Sequence, residues 1–277
     1  MEVHVDELFF WDPILFGGTP FEINRVVLLM FLASAVCIAF FVAGGARTSL
    51  VPKGIQNLAE MAYLFVRNQI AIDIIGPKDG PRFANYLATL FWFIFFMNFL
   101  EIVPLVNFPV TSRMAIPFAL ALLTYVIFNF QGIRHHGLKY FTGIMFPPGV
   151  PKLVYVLLTP IEIFSTFIIR PLTLSVRLLA NMMAGHVLLT IFFLFSFEFV
   201  TFDITLPLGL LTAVLASILI IFELLVIGIQ AYIFTTLTAF YIAEAIHGHG
   251  DGEGEAEAQH PDPLGETEGI PATAGAR

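Results

Sequence analysis

Polar residues along this chain fall in a few bands, and the apolar stretches between them have the length of membrane crossings. Residues 26–46 form a charge-free run of 21 between Arg25 and Arg47, residues 83–100 a run of 18, and residues 114–133 a run of 20. A helix needs about 20 apolar residues to cross roughly 30 Å of hydrocarbon, so each run predicts a crossing. Pro104 and Pro109 bracket the break between the second and the third. Residues 53–75 follow another pattern. Lys53, Asn57, Glu60 and Arg67 recur at helical spacing, with Ile55, Leu58, Met61, Ala62 and Phe65 on the rest of the surface. That predicts an amphipathic helix lying in the interface plane; a packed cytoplasmic hairpin arm is the alternative.

The second half of the chain has few stop signals. Within 154–197 only Pro160 and Pro171 interrupt, and within 204–246 only Gly209 and Gly228 once the turn at Asp203 and Pro207 is passed. Each stretch predicts roughly 60 Å of helix, about twice the hydrocarbon thickness. A helix that long has to tilt strongly or run partly along the membrane plane. The expectation is an all-α polytopic membrane protein. It has about five membrane-crossing helices plus one interfacial amphipathic helix, and the last two helices are long, strongly tilted and joined as a hairpin.

Composition narrows the function. Of 277 residues, 58% are hydrophobic and 12% charged. A soluble domain carries about 25% charged residues, which sets aside a soluble enzyme and a nucleic-acid partner. The long continuous runs are unlike the short alternating segments of a β-barrel. The net charge of −8 is concentrated at the ends: residues 1–24 hold five acids and no Lys or Arg, and residues 247–277 hold seven acids and one base. The chain therefore divides into an acidic N-terminal segment (1–24), a membrane domain (25–246) and an acidic tail (247–277) expected to be disordered and cytoplasmic. Cationic residues cluster in alternate loops: Arg47, Lys53, Arg67, Lys78 and Arg82, then Arg134, Lys139 and Lys152. By the positive-inside rule the N-terminus is outside and the C-terminus cytoplasmic. The first residues have no positive n-region or small-residue cleavage site, so a signal peptide is not expected. The single cysteine, Cys37, lies in an apolar run. Neither a disulfide framework nor a CxxC metal site is expected.

Ionisable groups inside a membrane are costly and mark function by default. The candidates are Glu101, Glu162, Arg170, Arg177, His186, Glu223 and Glu244. An arginine cannot shed its proton, so Arg177 needs an anion or water. No carboxylate lies within one turn of it, so its anion must come from another helix or another protein; a snorkelling arginine is the bland alternative and suits Arg170 better. Glu223 and Gln230 are seven apart and share a helix face, to which Tyr241 returns. His186 is nine residues from Arg177, on roughly the opposite side of its helix. Counted from the Asp203 turn, His186 and Glu223 sit at similar depth. A facing pair can pass protons and hold water; a static ion pair or a packing histidine competes with that reading. No inverted repeat is visible between the halves, which disfavours a secondary transporter.

The segments RPLTLSVRLLANMMAGHVLL and FELLVIGIQAYIFTTLTAFYI, with FFMNFLEIVP and TSRMA upstream, resemble subunit a of F-type ATP synthases over roughly residues 20–246. The resemblance implies a proton-translocating stator of a rotary motor in a bacterial plasma membrane. Its partners would be a ring of c subunits, the peripheral-stalk b subunits and the rest of the synthase complex. It implies no cofactor and no catalysis on ATP in this chain, which has no GxxxxGK[ST] phosphate loop. Arg177 matches the essential arginine that faces the ring, and Asn181 and Gln230 match polar positions near it. His186 and Glu223 match the acid–imidazole pair of the outer half-channel, in the exchanged arrangement found within the family. Glu162 and Thr173 approximate positions of the inner half-channel, and Glu101 the outer path. A self-contained proton-coupled transporter or ion channel is the alternative.

Overall fold

The computed structural model describes residues 23–46, 52–103, 106, 108, 110–137, 139–145, 154–199 and 206–247. Most of the 1–24 segment, the tail beyond His247 and the turn at Asp203 lie outside the described residues. The described chain is helical: α1 (Arg25–Gly45), α2 (Ile55–Val66), α3 (Asp73–Ile75), α4 (Gly80–Phe99), α5 (Ala115–His136), α6 (Lys139–Met145), α7 (Tyr155–Phe164), α8 (Arg170–Phe199) and α9 (Leu206–His247).

Four described helical stretches are long and apolar enough to cross a membrane: Arg25–Gly45, Ala115–His136, Leu157–Phe199 and Leu206–His247. The remaining crossing expected from the sequence falls on α4. Its 20 residues span about 30 Å, enough for a fifth. α4 is also the most enclosed helix. Ala84, Leu87, Ala88, Leu90, Phe91, Ile94, Met97 and Asn98 are buried on it, and it packs against α1, α2 and α9.

The chain reaches α4 through a reversal. A wide π-helical stretch, Arg67–Ile72, joins α2 to α3. Gly76 then turns the backbone at φ 102°, a conformation that only glycine adopts freely. α2 therefore lies back along α1 and α4, and the Trp92 indole donates to the Ala62 carbonyl at 3.2 Å. Its surface has three stripes. Ala59, Ala62 and Val66 are buried. Ile55, Leu58, Met61 and Phe65 are exposed, and so are Asn57 and Glu60, with Lys53 exposed just before the helix.

The last two helices have the length that the sequence predicts, and the prolines inside them are accommodated locally. Pro160 lies within α7. Pro171 follows the π-helical stretch Ser165–Ile169. A proline has no N–H for the preceding turn and its ring crowds that turn's carbonyl, so a widened turn just before it relieves both problems. Helix continuity is kept over the 43 residues of Leu157–Phe199. α9 is buried in two ways. Gly209, Ala216, Glu223 and Gln230 form a stripe at intervals of seven. From Gln230 onward the buried face widens to include Phe234, Thr235, Thr238, Ala239 and Ile242, where α4 and α5 pack on it in addition to α8.

Inside a bilayer, helices gain little from hydrophobic burial against one another, and close approach of small residues carries the association. At Gly80 the approach is tightest to backbone: a Cβ there would lie 2.5 Å from the Ala71 carbonyl oxygen. Gly80→Val is therefore expected to cost roughly 1–3 kcal/mol, because a backbone clash cannot be relieved by a rotamer change. At Gly45 a Cβ meets nothing within 4 Å, so Gly45→Ala should be neutral. Thermal unfolding of the detergent-solubilised protein, followed by near-UV circular dichroism, compares the two.

Candidate functional site

Three titratable side chains from three parts of the chain converge at one level. Glu101 lies in the turn that ends α4, where its backbone N–H bonds to the Asn98 carbonyl at 3.0 Å, and it is 0% exposed. His186 is on the buried stripe of α8 with Leu174, Leu178, Met182 and Leu189. Its Nδ1 is 3.5 Å from Glu101 Oε1, and Phe108 packs edge-on to its ring with centroids 5.9 Å apart. Glu223, on the narrow stripe of α9, rests on the backbone of Gly185. A Cβ on that glycine would lie 2.5 Å and 2.6 Å from the two Glu223 carboxyl oxygens. Glu223 thus meets α8 at the residue next to His186, and it is within electrostatic reach of Glu101.

This cluster has more acceptors than donors. Neither Glu101 oxygen nor Glu223 Oε1 has a hydrogen-bond donor among the described residues. The 3.5 Å imidazole contact is longer than a good N–H···O bond. Beside it, the Thr111 hydroxyl donates to Asn98 Oδ1, while Asn98 Nδ2 is unpartnered among the described residues. Buried polar atoms in such a state are satisfied by water or by protonation. Sequence reasoning placed Glu101 on the outer path and paired His186 with Glu223. The structure gives His186 a carboxylate contact to Glu101 and seats Glu223 one residue away. Asn98 and Thr111 lie within the segments FFMNFLEIVP and TSRMA, but as uncharged residues they carry no signal of their own in the sequence.

Arg177 is in the opposite situation. Nine residues and about 13 Å along α8 from His186, it lies on the exposed face with Leu172, Thr173, Val176, Ala180 and Ala184. No carboxylate among the described residues pairs with it, and Tyr241 is within its electrostatic reach. Asn181, one turn on, is half-buried. Gln230 is buried, and its Nε2 is unpartnered among the described residues.

Toward the other end of the hairpin, Arg170 meets Glu244 in a two-pronged ion pair, with Nη1 and Nη2 at 2.5 Å and 2.9 Å from Oε2 and Oε1. Its guanidinium lies over the Tyr241 ring at 5.2 Å from the centroid, and Tyr241 packs on Phe128. Burial and the nearby Glu244 carboxylate push the Tyr140 phenol up to about 12. The sequence suggested a snorkelling role for Arg170, without a partner, and the structure supplies one from α9. Glu162 is half-buried on α7. One turn later Thr166 is buried, with its hydroxyl unpartnered among the described residues. Thr173 is exposed, and its hydroxyl donates to the Ile169 carbonyl at 2.7 Å.

The profile of the ATP synthase A chain family matches residues 27–243. ATP synthase subunit a of Rhodococcus erythropolis is 42% identical over 251 residues, covering 89% of this chain and 91% of that protein. The subunit a of Frankia alni is 41% identical over 274 residues, covering 96% and 91%. That of Magnetococcus marinus is 40% identical over 240 residues, covering 85% and 88%.

The Arg170–Glu244 pair makes a direct prediction. Both side chains are less than one-fifth exposed, so Glu244→Ala leaves a partly buried cation unpaired and should cost roughly 3 kcal/mol. Arg170→Met with Glu244→Leu should lose much less than the two single changes summed. A double-mutant cycle on thermal unfolding reads the coupling, and additivity would mean that the two side chains lie close without stabilising each other.

Proposed function

The chain belongs to the ATP synthase A chain family, and we propose that it is the proton-translocating stator of a rotary ATP synthase, offering two offset half-channels to the carboxylates of a c-ring. As a family member it is an integral bacterial membrane protein and part of the synthase complex. The observation that carries the reading is the contrast along α8. A permanent cation stands on an exposed face that is apolar apart from Thr173, and a buried acid–imidazole cluster stands on the opposite face. An arginine on a hydrocarbon-facing surface calls for an anion from another protein. A carboxylate on a neighbouring ring answers that need.

The proposed proton route uses these groups in turn. A proton enters from outside by way of Glu101, His186 and Glu223 and neutralises a ring carboxylate. An uncharged carboxyl can face lipid at modest cost. After most of a turn it reaches the inner side, where Glu162 and Thr173 line the way out. Arg177 stands between the two routes with Asn181, Gln230 and Tyr241 around it. Its fixed charge favours the ionised form of the carboxylate that faces it. It also repels a proton that would otherwise hop straight across. At 100 mV each charge gains roughly 2.3 kcal/mol from the membrane potential. The 42 residues of α9 amount to about 63 Å of helix, which fits a steep tilt along the ring and access to Arg177's level from both sides. The basic loops put the N-terminus outside and the C-terminus in the cytoplasm, with α2 near the inner interface. ATP chemistry belongs to other subunits, and the b subunits of the peripheral stalk hold this chain against the ring.

Arg177→Ala should abolish ATP-driven proton pumping and proton-driven synthesis while leaving assembly intact. Arg177→Lys should also fail or nearly fail, since a lysine can lose its proton when desolvated and lacks the planar fork. Pumping at wild-type level in inverted vesicles carrying assembled Arg177→Ala would remove Arg177 from its role.

The buried cluster gives a second test. His186→Glu gathers three carboxylates around one site, and Glu223→His leaves two imidazoles with one acid; both singles should depress flux. The double exchange restores the original set and should recover more flux than either. Passive proton flux and ATP synthesis are measured between about pH 6 and 9, within reach of the ordinary imidazole pKa. Additivity of the two changes to within about 0.5 kcal/mol would mean that the positions do not cooperate.

A further inference from the structure

Away from these groups, the structure has a cavity of about 360 Å³ where α1, α2 and α4 meet. We propose that it holds the acyl chain of a bilayer phospholipid, with the ester region of that lipid bound at Asn85. The inference rests on the membrane-spanning fold and not on the proton route.

Two observations define the occupant. The first is the wall. Cys37, Ile38, Phe41 and Val42 of α1 and Ala88 of α4 line it. Ile38 and Val42 are 63% and 64% exposed, so the cavity opens on the surface that faces hydrocarbon. A small polar solute would gain nothing there, whereas a hydrocarbon chain is already at that surface.

The second is a polar ladder at one edge. Tyr63 and Asn85 also line the cavity, as does Thr89. The Tyr63 hydroxyl donates to Asn85 Oδ1 at 2.7 Å, and the Thr89 hydroxyl donates to the Asn85 carbonyl at 2.8 Å. The Asn85 oxygen is therefore engaged, and its NH₂ donors have no acceptor among the described residues. An amide NH₂ at the mouth of an apolar groove suits an acceptor-only group such as an ester carbonyl. One turn nearer the start of α4, on the same side of the helix, stands Arg82. It is 70% exposed and 3.1 Å from Asp79 on one nitrogen only. Guanidinium geometry fits phosphate. The order along the helix is cation, amide donor, then apolar wall, and it repeats the order phosphate, ester, acyl chain of a glycerophospholipid. The α1 wall runs in the matching direction, since Val42 lies near the end of α1 that leads to the basic loop and Cys37 lies deeper.

The test uses the whole synthase complex in vesicles doped with a phosphatidylglycerol that carries a diazirine on its acyl chain. Irradiation followed by peptide mass spectrometry should map crosslinks to residues 37–42 and 85–89 above the level on other lipid-facing segments. Thr89→Trp, an exposed position that the indole would extend across the cavity mouth, should reduce those crosslinks to the background of the other segments. Asn85→Leu removes the donor and should lower them about fivefold, the equivalent of one hydrogen bond. Arg82→Gln should lower them as well. Complex assembly is checked by native gel for each variant, and proton flux is recorded separately. An even spread of crosslinks over all lipid-facing helices, or yields unchanged by Thr89→Trp, would overturn the proposal. So would cysteine crosslinking that places a helix of another subunit against Cys37.

Discussion

A charge in hydrocarbon must find a countercharge or water, and that requirement organises the second half of this protein. Two arginines seven residues apart on α8 meet it in different ways. Arg170 reaches across the hairpin to Glu244 and lies over Tyr241, so its charge is settled within the chain. Arg177 stands on the exposed face, with no carboxylate among the described residues to pair with it. An arginine cannot escape this by losing its proton, as a lysine could. The internal pair ties the two helices of the hairpin together, and the outward-facing arginine keeps its charge on the open surface.

The carboxylates obey the same constraint from the other side. Glu101, His186 and Glu223 come from a turn and two helices, and their meeting depends on small residues. Glu223 fits because position 185 has no side chain. Without hydrophobic driving force between helices, glycine and alanine set how near two backbones come. The same logic holds at the Gly80 approach to Ala71. A residue that is passive in itself therefore decides whether a titratable group is buried against a neighbour or displaced into lipid. The two wide helical turns act similarly: one precedes Pro171, and the other leads into the Gly76 reversal that brings α2 back onto α4.

Much of this was legible in the sequence because the bilayer is a demanding solvent. It requires helices, and it requires them in runs of about 20 apolar residues. The crossings, the two long final helices and the few ionisable residues inside them follow from reading charge against length. Helical periodicity put His186 and Arg177 on opposite faces of α8 and put Glu223 with Gln230, and both relations hold in the structure. Tertiary structure decided which groups meet across helices. That Arg170 finds Glu244, that Glu101 is the carboxylate at His186, that Asn98 and Thr111 bond beside it, and that a groove opens at Asn85 all depend on the rotation and offset of one helix against another. Side chains of one or two atoms set those quantities, at positions whose role cannot be recognised until the neighbour is in place.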